Sequence, residues 1–240
     1  MKKSVRLILS FALVFSIITV AGVSYGEDQY LAVKTAIQSG MPQVAILELK
    51  ANREMEKDPL YWLYLGTACR EAGKYDDAVS AFMSGLKLNS RNSGLLDGLG
   101  VTYAKTGDYP RAVDSIKKAL DLEPTNPKYY NDLGLVYLLQ KEADMAMNSF
   151  STSFKLSQSI ETVKNLSFAY GMKGDYKKAR ELLMDAFPLH EVYYILGQAH
   201  ELNSETEKAV ELYKMSTVAK KDYKPAREKL ITMGISGDEI

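Results

Sequence analysis

A period of 34 residues constrains this chain more than any other feature. Leu65-Gly66, Leu99-Gly100 and Leu133-Gly134 recur at that interval. Ala78, Ala112 and Ala146 follow the glycines by twelve residues, and Phe82, Ile116 and Phe150 stand four further on. Tyr103 and Tyr137 come three after their glycines, with Cys69 in the equivalent place, and Trp62, Leu96 and Tyr130 stand four before. Self-similarity at this length means a stack of small units, none able to bury its apolar face alone. Within each unit apolar residues recur every three or four positions, which is helical periodicity, and strand-like alternation is absent. Gly73, Gly107 and Gly174 mark turns between paired helices, because glycine takes the left-handed conformation that ends a helix. The central unit has Lys141-Glu142 at that place, which predicts a looser turn.

This residue set resembles the tetratricopeptide repeat, with its pattern W-x2-L-G-x2-Y, then A-x3-F, then P. Trp62, Leu65, Gly66, Ala78 and Phe82 match one copy; Leu99, Gly100, Tyr103, Ala112, Ala119 and Pro124 match the next; Tyr130, Leu133, Gly134, Tyr137, Ala146 and Phe150 match a third. Leu166, Tyr170, Ala179, Leu183 and Ala186 keep the spacing with Ser167 in the glycine place, and Tyr193, Leu196, Gly197, Ala209 and Tyr213 continue it with His200 in the tyrosine place. Ala32, Val33, Ala36, Ala45 and Leu49 form a degenerate unit upstream. The resemblance implies an all-α fold, a right-handed α-solenoid of about six helix-turn-helix units and a C-terminal capping helix. The divergent unit occupies 27–58, the array 59–223 (units near 59–92, 93–126, 127–159, 160–189 and 190–223), and the cap and tail 224–240.

The resemblance also implies a non-enzymatic scaffold whose first helices line a concave groove for a protein or peptide partner. Carrying the groove-facing offsets over residue by residue assigns Tyr30, Leu63, Asp97, Asn131, Leu135, Leu138, Lys164, Phe168 and Tyr194 to partner binding. Some family members grip a C-terminal carboxylate with basic and amide side chains. Asp97 would repel that group, so the expected ligand is an extended or helical segment with apolar anchors. The alternative is that the lining packs against neighbouring repeats, and that the solenoid self-associates into a homo-oligomer through its ends, near Met41-Pro42 and 226–233.

Residues 1–26 read as a secretory signal. Lys2, Lys3 and Arg6 form a basic n-region, Leu7 to Val23 a nearly unbroken apolar h-region, and Ser24-Tyr25-Gly26 a small-residue cleavage site. The alternative is an uncleaved anchor, although this apolar run falls short of the roughly 20 residues that span a bilayer. Cleavage leaves no integral membrane span and implies a periplasmic destination. The 30 basic and 30 acidic residues of the whole chain then become slightly acidic, since the removed segment carries only positive charge. No dense positive surface is available to displace phosphate counterions, so nucleic acid is not an expected partner.

Little else in the chain carries chemistry. One cysteine and two histidines leave no material for a cysteine-rich or histidine metal centre. Cys69 and His200 stand at packing offsets of the repeat. Gly98-Leu99-Gly100 lacks the third glycine and the preceding strand of a dinucleotide fingerprint. Asn165-Leu166-Ser167 is a glycosylation sequon in spelling only, and Asp76-Asp77 has no partner group at a useful spacing. No catalytic set, metal site or cofactor is expected.

Overall fold

The computed structural model describes residues 29–236; the segment assigned to export, 1–26, lies outside them. The described residues form thirteen α-helices and no strand. Six consecutive antiparallel pairs and a final helix follow one another: α1 (Leu31–Gln38) and α2 (Pro42–Ala51), α3 (Pro59–Glu71) and α4 (Tyr75–Leu88), α5 (Ser93–Lys105) and α6 (Tyr109–Leu122), α7 (Pro127–Leu139) and α8 (Ala143–Leu156), α9 (Ile160–Met172) and α10 (Tyr176–Ala186), α11 (Leu189–Leu202) and α12 (Thr206–Ala219), then α13 (Lys224–Thr232). A short 3-10 turn, Arg53–Lys57, leads into α3. None of these helices is long and apolar enough to cross a membrane.

Helix α6 shows how the local sequence makes an element. Asp108 caps it, accepting a hydrogen bond from the Arg111 amide at 3.1 Å, and Pro110 sits in the first turn, where a missing N–H costs nothing. Ala112, Ile116 and Ala119 then fall on one face and are fully buried, while Lys117, Lys118 and Asp121 face solvent. Pro124 cannot continue the helix. The first helices are capped with the same period as the core. Asp58, Asn92 and Asn126, each 34 residues apart, accept from Leu60 N, Leu95 N and Lys128 N at 2.9, 3.0 and 3.1 Å.

The recurring glycines are explained by the aromatic or branched residue sixteen positions later. A Cβ on Gly66 would lie 2.6 Å from the Phe82 ring, one on Gly134 2.6 Å from Phe150, and one on Gly197 2.7 Å from Tyr213. Gly98, in the following unit, meets the same Phe82 ring at 2.6 Å. Phe82 is therefore wedged between two helices that can approach only because neither carries a side chain there. The alanines twelve after the glycines are fully buried as well, but the closest contact is made by the residue sixteen later; at Gly100 this is Ile116 at 2.6 Å, with the Ala112 carbonyl oxygen at 3.0 Å.

Neighbouring units join through this core and through side-chain hydrogen bonds about one repeat apart, such as Tyr129 Oη to Ser93 Oγ at 3.1 Å and Asn165 Nδ2 to Asn131 Oδ1 at 2.8 Å. Each unit thus contacts its immediate neighbours, as a quasi-one-dimensional stack does. First helices of successive units touch side by side from α1 to α11, forming one continuous layer. The main core cluster runs from Tyr30 to Ala169, and two smaller clusters follow, one from Ala179 to Leu212 and one of Ala209, Tyr213 and Leu230.

The turn after α7 corrects the expectation of looseness. Lys141 adopts φ 63°, and the Glu142 amide donates to Tyr137 O at 2.9 Å, the same closure by which Asp108 N reaches Tyr103 O at 2.9 Å beyond Gly107. A lysine here accepts the left-handed penalty because the helices on both sides dictate the turn. Lys141 is exposed, so its side chain adds no packing. Lys141→Gly is expected to raise stability by about 0.5–1 kcal/mol, the left-handed cost less the unfolded-state entropy of glycine. Urea denaturation checks this, and a loss of stability would contradict it.

Candidate functional site

The layer of first helices carries every residue assigned to partner binding, and burial sorts them into two sets. Leu63, Leu135, Leu138, Phe168 and Tyr194 are half-buried, and Lys164 is exposed. Tyr30, Asp97 and Asn131 are buried.

Three of the residues assigned to partner binding, Tyr30, Asp97 and Asn131, are already engaged by other units. Tyr30 is 2% exposed; its hydroxyl donates to Asp58 Oδ2 at 2.9 Å and its ring lies 5.0 Å from that of Tyr64. It joins the divergent first unit to the next. Burial, then the Asp58 carboxylate, pushes its phenol pKa well above the usual range. Asn131 accepts from Asn165 Nδ2 at 2.8 Å and donates toward Glu161 Oε1 at 3.4 Å, joining α7 to α9. Asp97 Oδ2 is held by Lys128 Nζ, joining α5 to α7. At these three positions the side chain meets another unit before it meets solvent, whereas Lys164 at the same offset stays exposed.

Tyr194 belongs with the packing alternative. Its ring lies 5.7 Å from Tyr213 and 5.6 Å from Tyr223, so it closes the array toward α13. The same end is tied by Glu201, which accepts from Tyr213 Oη at 2.5 Å and Lys229 Nζ at 2.8 Å. Leu63, Leu135 and Leu138 pack against the main core along one edge and leave the other to solvent. These three and Phe168 constitute the apolar lining.

A cavity of about 360 Å³ opens on the same layer, where Lys34, Leu63, Thr67, Arg70 and Asp97 come together with Lys128. The first five stand at the groove-facing offsets of three successive units. Lys128 was not foreseen: it reaches back from the start of α7, and only the 31-residue separation from Asp97, just under one period, signals it.

The remaining chemistry candidates have structural roles. Cys69 is buried, and burial raises its thiol pKa, the opposite of a reactive thiolate. His200 is 7% exposed; Nδ1 lies 2.6 Å from Glu205 Oε2 and the ring stacks on Tyr176 at 3.6 Å. Hydrogen bonds from His200, then Tyr176, hold the Glu205 carboxyl below its usual range. No group of His, Cys, Asp or Glu able to hold a metal ion occurs among the described residues.

Stacked helix pairs with a continuous inner layer and a partly open apolar lining define a repeat-built α-solenoid. Residues 30–92 match the family described as Tetratricopeptide repeat, and residues 100–141 match TPR repeat. Solved structures agree. MamA is 25% identical over 65% of this chain and 95% of its own (TM-score 0.53). YrrB, a TPR protein with an unusual peptide-binding site, is 19% identical over 75% and 95% (TM-score 0.55). PilF of Pseudomonas aeruginosa is 15% identical over 85% and 96% (TM-score 0.64). No curated protein matches in sequence. The chain is a tetratricopeptide-repeat protein.

Proposed function

We propose that this chain is a non-enzymatic interaction scaffold, exported across the inner membrane to the periplasm, that holds a segment of a partner protein against its layer of first helices. Its place is in cell-envelope assembly, secretion or another multiprotein complex. One observation carries the reading: Leu63, Leu135, Leu138 and Phe168 remain partly open after the repeats have stacked. Apolar side chains left open along one layer are the usual signature of an interaction surface. The similarity to YrrB, a TPR protein with an unusual peptide-binding site, supports it. The basic start and apolar run of residues 1–26 support export.

The test is crosslinking of the protein in its native envelope, with Leu135 and Phe168 each replaced by aspartate. Capture of the partner is expected to fall by about tenfold or more, as for a hot-spot residue, with helical content by circular dichroism unchanged. Undiminished capture would move the site elsewhere. A second reading, self-association, has its own observation. Leu31 and Leu47 are 58% and 69% exposed on the first pair, and Ile231 is 59% exposed on α13. Crosslinked products containing only copies of this chain would favour it.

A further inference from the structure

The cavity between the first helices carries unbalanced charge at one wall. Lys128 Nζ holds Asp97 Oδ2 and, at 2.7 Å, Asp132 Oδ2, so two carboxylates share one ammonium. Asp97 is 3% exposed, and its Oδ1 has no hydrogen-bond partner among the described residues. Arg70, also on the lining, turns Nε and Nη2 to Glu71 Oε1 at 3.4 and 3.3 Å and makes no hydrogen bond to Asp97. Lys34 stands on the far wall, over the Tyr64 ring at 5.7 Å from its centroid. A buried carboxylate oxygen without a donor is costly to keep, and the cost is relieved by a ligand that brings the donor with it.

We propose, on the reading that this layer binds a partner segment, that the cavity receives a lysine or arginine side chain of that segment, whose cationic head donates to Asp97 Oδ1. A carboxylate has no hydrogen to donate to Oδ1. An apolar side chain would leave Oδ1 unpaired, whereas a cationic head supplies the donor that Oδ1 lacks. The volume, about 360 Å³, lies within the range of small-ligand sites and accommodates one long side chain. Gly94, also on the lining, keeps the approach clear. The apolar contacts at Leu135 and Phe168 lie further along the layer, so the partner combines a basic residue with apolar anchors.

Recognition requires the ionised carboxylate. Burial, then Asp132, pushes the Asp97 pKa up to about 7, against the opposing pull of Lys128, so the test belongs at a pH near 8. The probes are n-butylguanidinium, 1-butanol and butyrate, titrated into the ¹⁵N-labelled protein and followed by amide chemical shifts. n-Butylguanidinium is expected to shift Gly94, Asp97 and Gly98 with saturation in the millimolar range, the affinity of a fragment. The neutral and anionic probes should bind at least about tenfold more weakly, the difference that one charge-assisted hydrogen bond makes. Asp97→Asn should lose the preference for the cation. Equal shifts from all three probes, or none from n-butylguanidinium, on the folded wild-type protein would overturn the proposal. The comparison of probes needs no variant, so misfolding cannot mask the result. Capture through Leu135 and Phe168 does not involve Asp97, and the two readings therefore fail separately.

Discussion

Phe82→Ala is expected to lower stability by about 3–5 kcal/mol, the range for emptying a fully buried aromatic site. The ring is 0% exposed and lies between Gly66 of its own unit and Gly98 of the next. Its loss removes the core of one helix pair and the contact joining that pair to its neighbour. Glycines on both sides leave no side chain that could rotate inward to refill the space, which places the cost toward the upper end of the range. In a linear stack each interface supports the units beyond it, so unfolding by urea should also become less cooperative, with α1–α4 separating from the rest. The next residue is the control. Met83 is 48% exposed, and Met83→Ala should cost less than about 0.5 kcal/mol, as surface substitutions do. Equal losses at the two positions would refute the wedge.

Phe82 also shows how much of this fold was legible in the sequence. The 34-residue period, the glycines and the residues sixteen later were all readable, and with them the all-helical stack. Their spacing alone could not distinguish the ring from the intervening alanine as the close contact. Both are buried, and only coordinates show the 2.6 Å approach. The caps Asp58, Asn92 and Asn126 carry the same period but are polar, and an apolar search passes over them. Lys141 misled for a different reason. Local preference favours glycine at a positive φ, but the packed helices α7 and α8 impose the turn whatever residue occupies it.

The candidate site was less legible because an offset within a repeat fixes a direction and not a reach. Leu63, Leu135, Leu138 and Phe168 point from the first helices and remain partly open, since a leucine or phenylalanine has no donor or acceptor to offer the next unit's polar groups. Tyr30, Asn131 and Asp97 share those offsets and find partners one unit away. Asp58, Asn165 and Lys128 are long or well placed enough to meet them. Tyr30, Asn131 and Asp97 close the layer, the four apolar side chains leave it partly open, and Lys164 at the same offset extends into solvent. The division between the first two sets follows from hydrogen-bonding capacity, and the spacing pattern does not contain it.

Asp97 is the exception, closing the layer with one oxygen while leaving the other unsatisfied, and its cost can be measured against pH. Its ordinary value of 3.8 rises to about 7 in the folded protein. The folded state therefore holds this proton more tightly than the unfolded chain, and between about pH 4 and 7 it binds more of it. Stability contributed at this position must then fall as pH rises through that window. Below pH 4 both states are protonated and the cost vanishes. Above pH 7 it is fully developed, and three units at 1.36 kcal/mol each set an upper bound of about 4 kcal/mol. The groups facing Asp97 are Asp132 and Lys128 from α7, with Arg70 and Lys34 across the cavity. All are retained in Asp97→Asn, and Lys128, its side chain 62% exposed, keeps Asp132 as a partner. The depressed carboxyls of Glu123, Glu201 and Glu205 destabilise wild type and variant alike as pH falls, so they cancel in the difference. Asp97→Asn should match wild type near pH 4 and exceed it by about 2–4 kcal/mol near pH 8, measured by urea denaturation across that range. A difference independent of pH would show that the Asp97 carboxylate is not under strain. A carboxylate that weakens its own fold where it is ionised, on the wall of a cavity, is the kind of stability cost that accompanies a binding site. Loss of cation recognition together with a gain in stability in the same variant would connect the two.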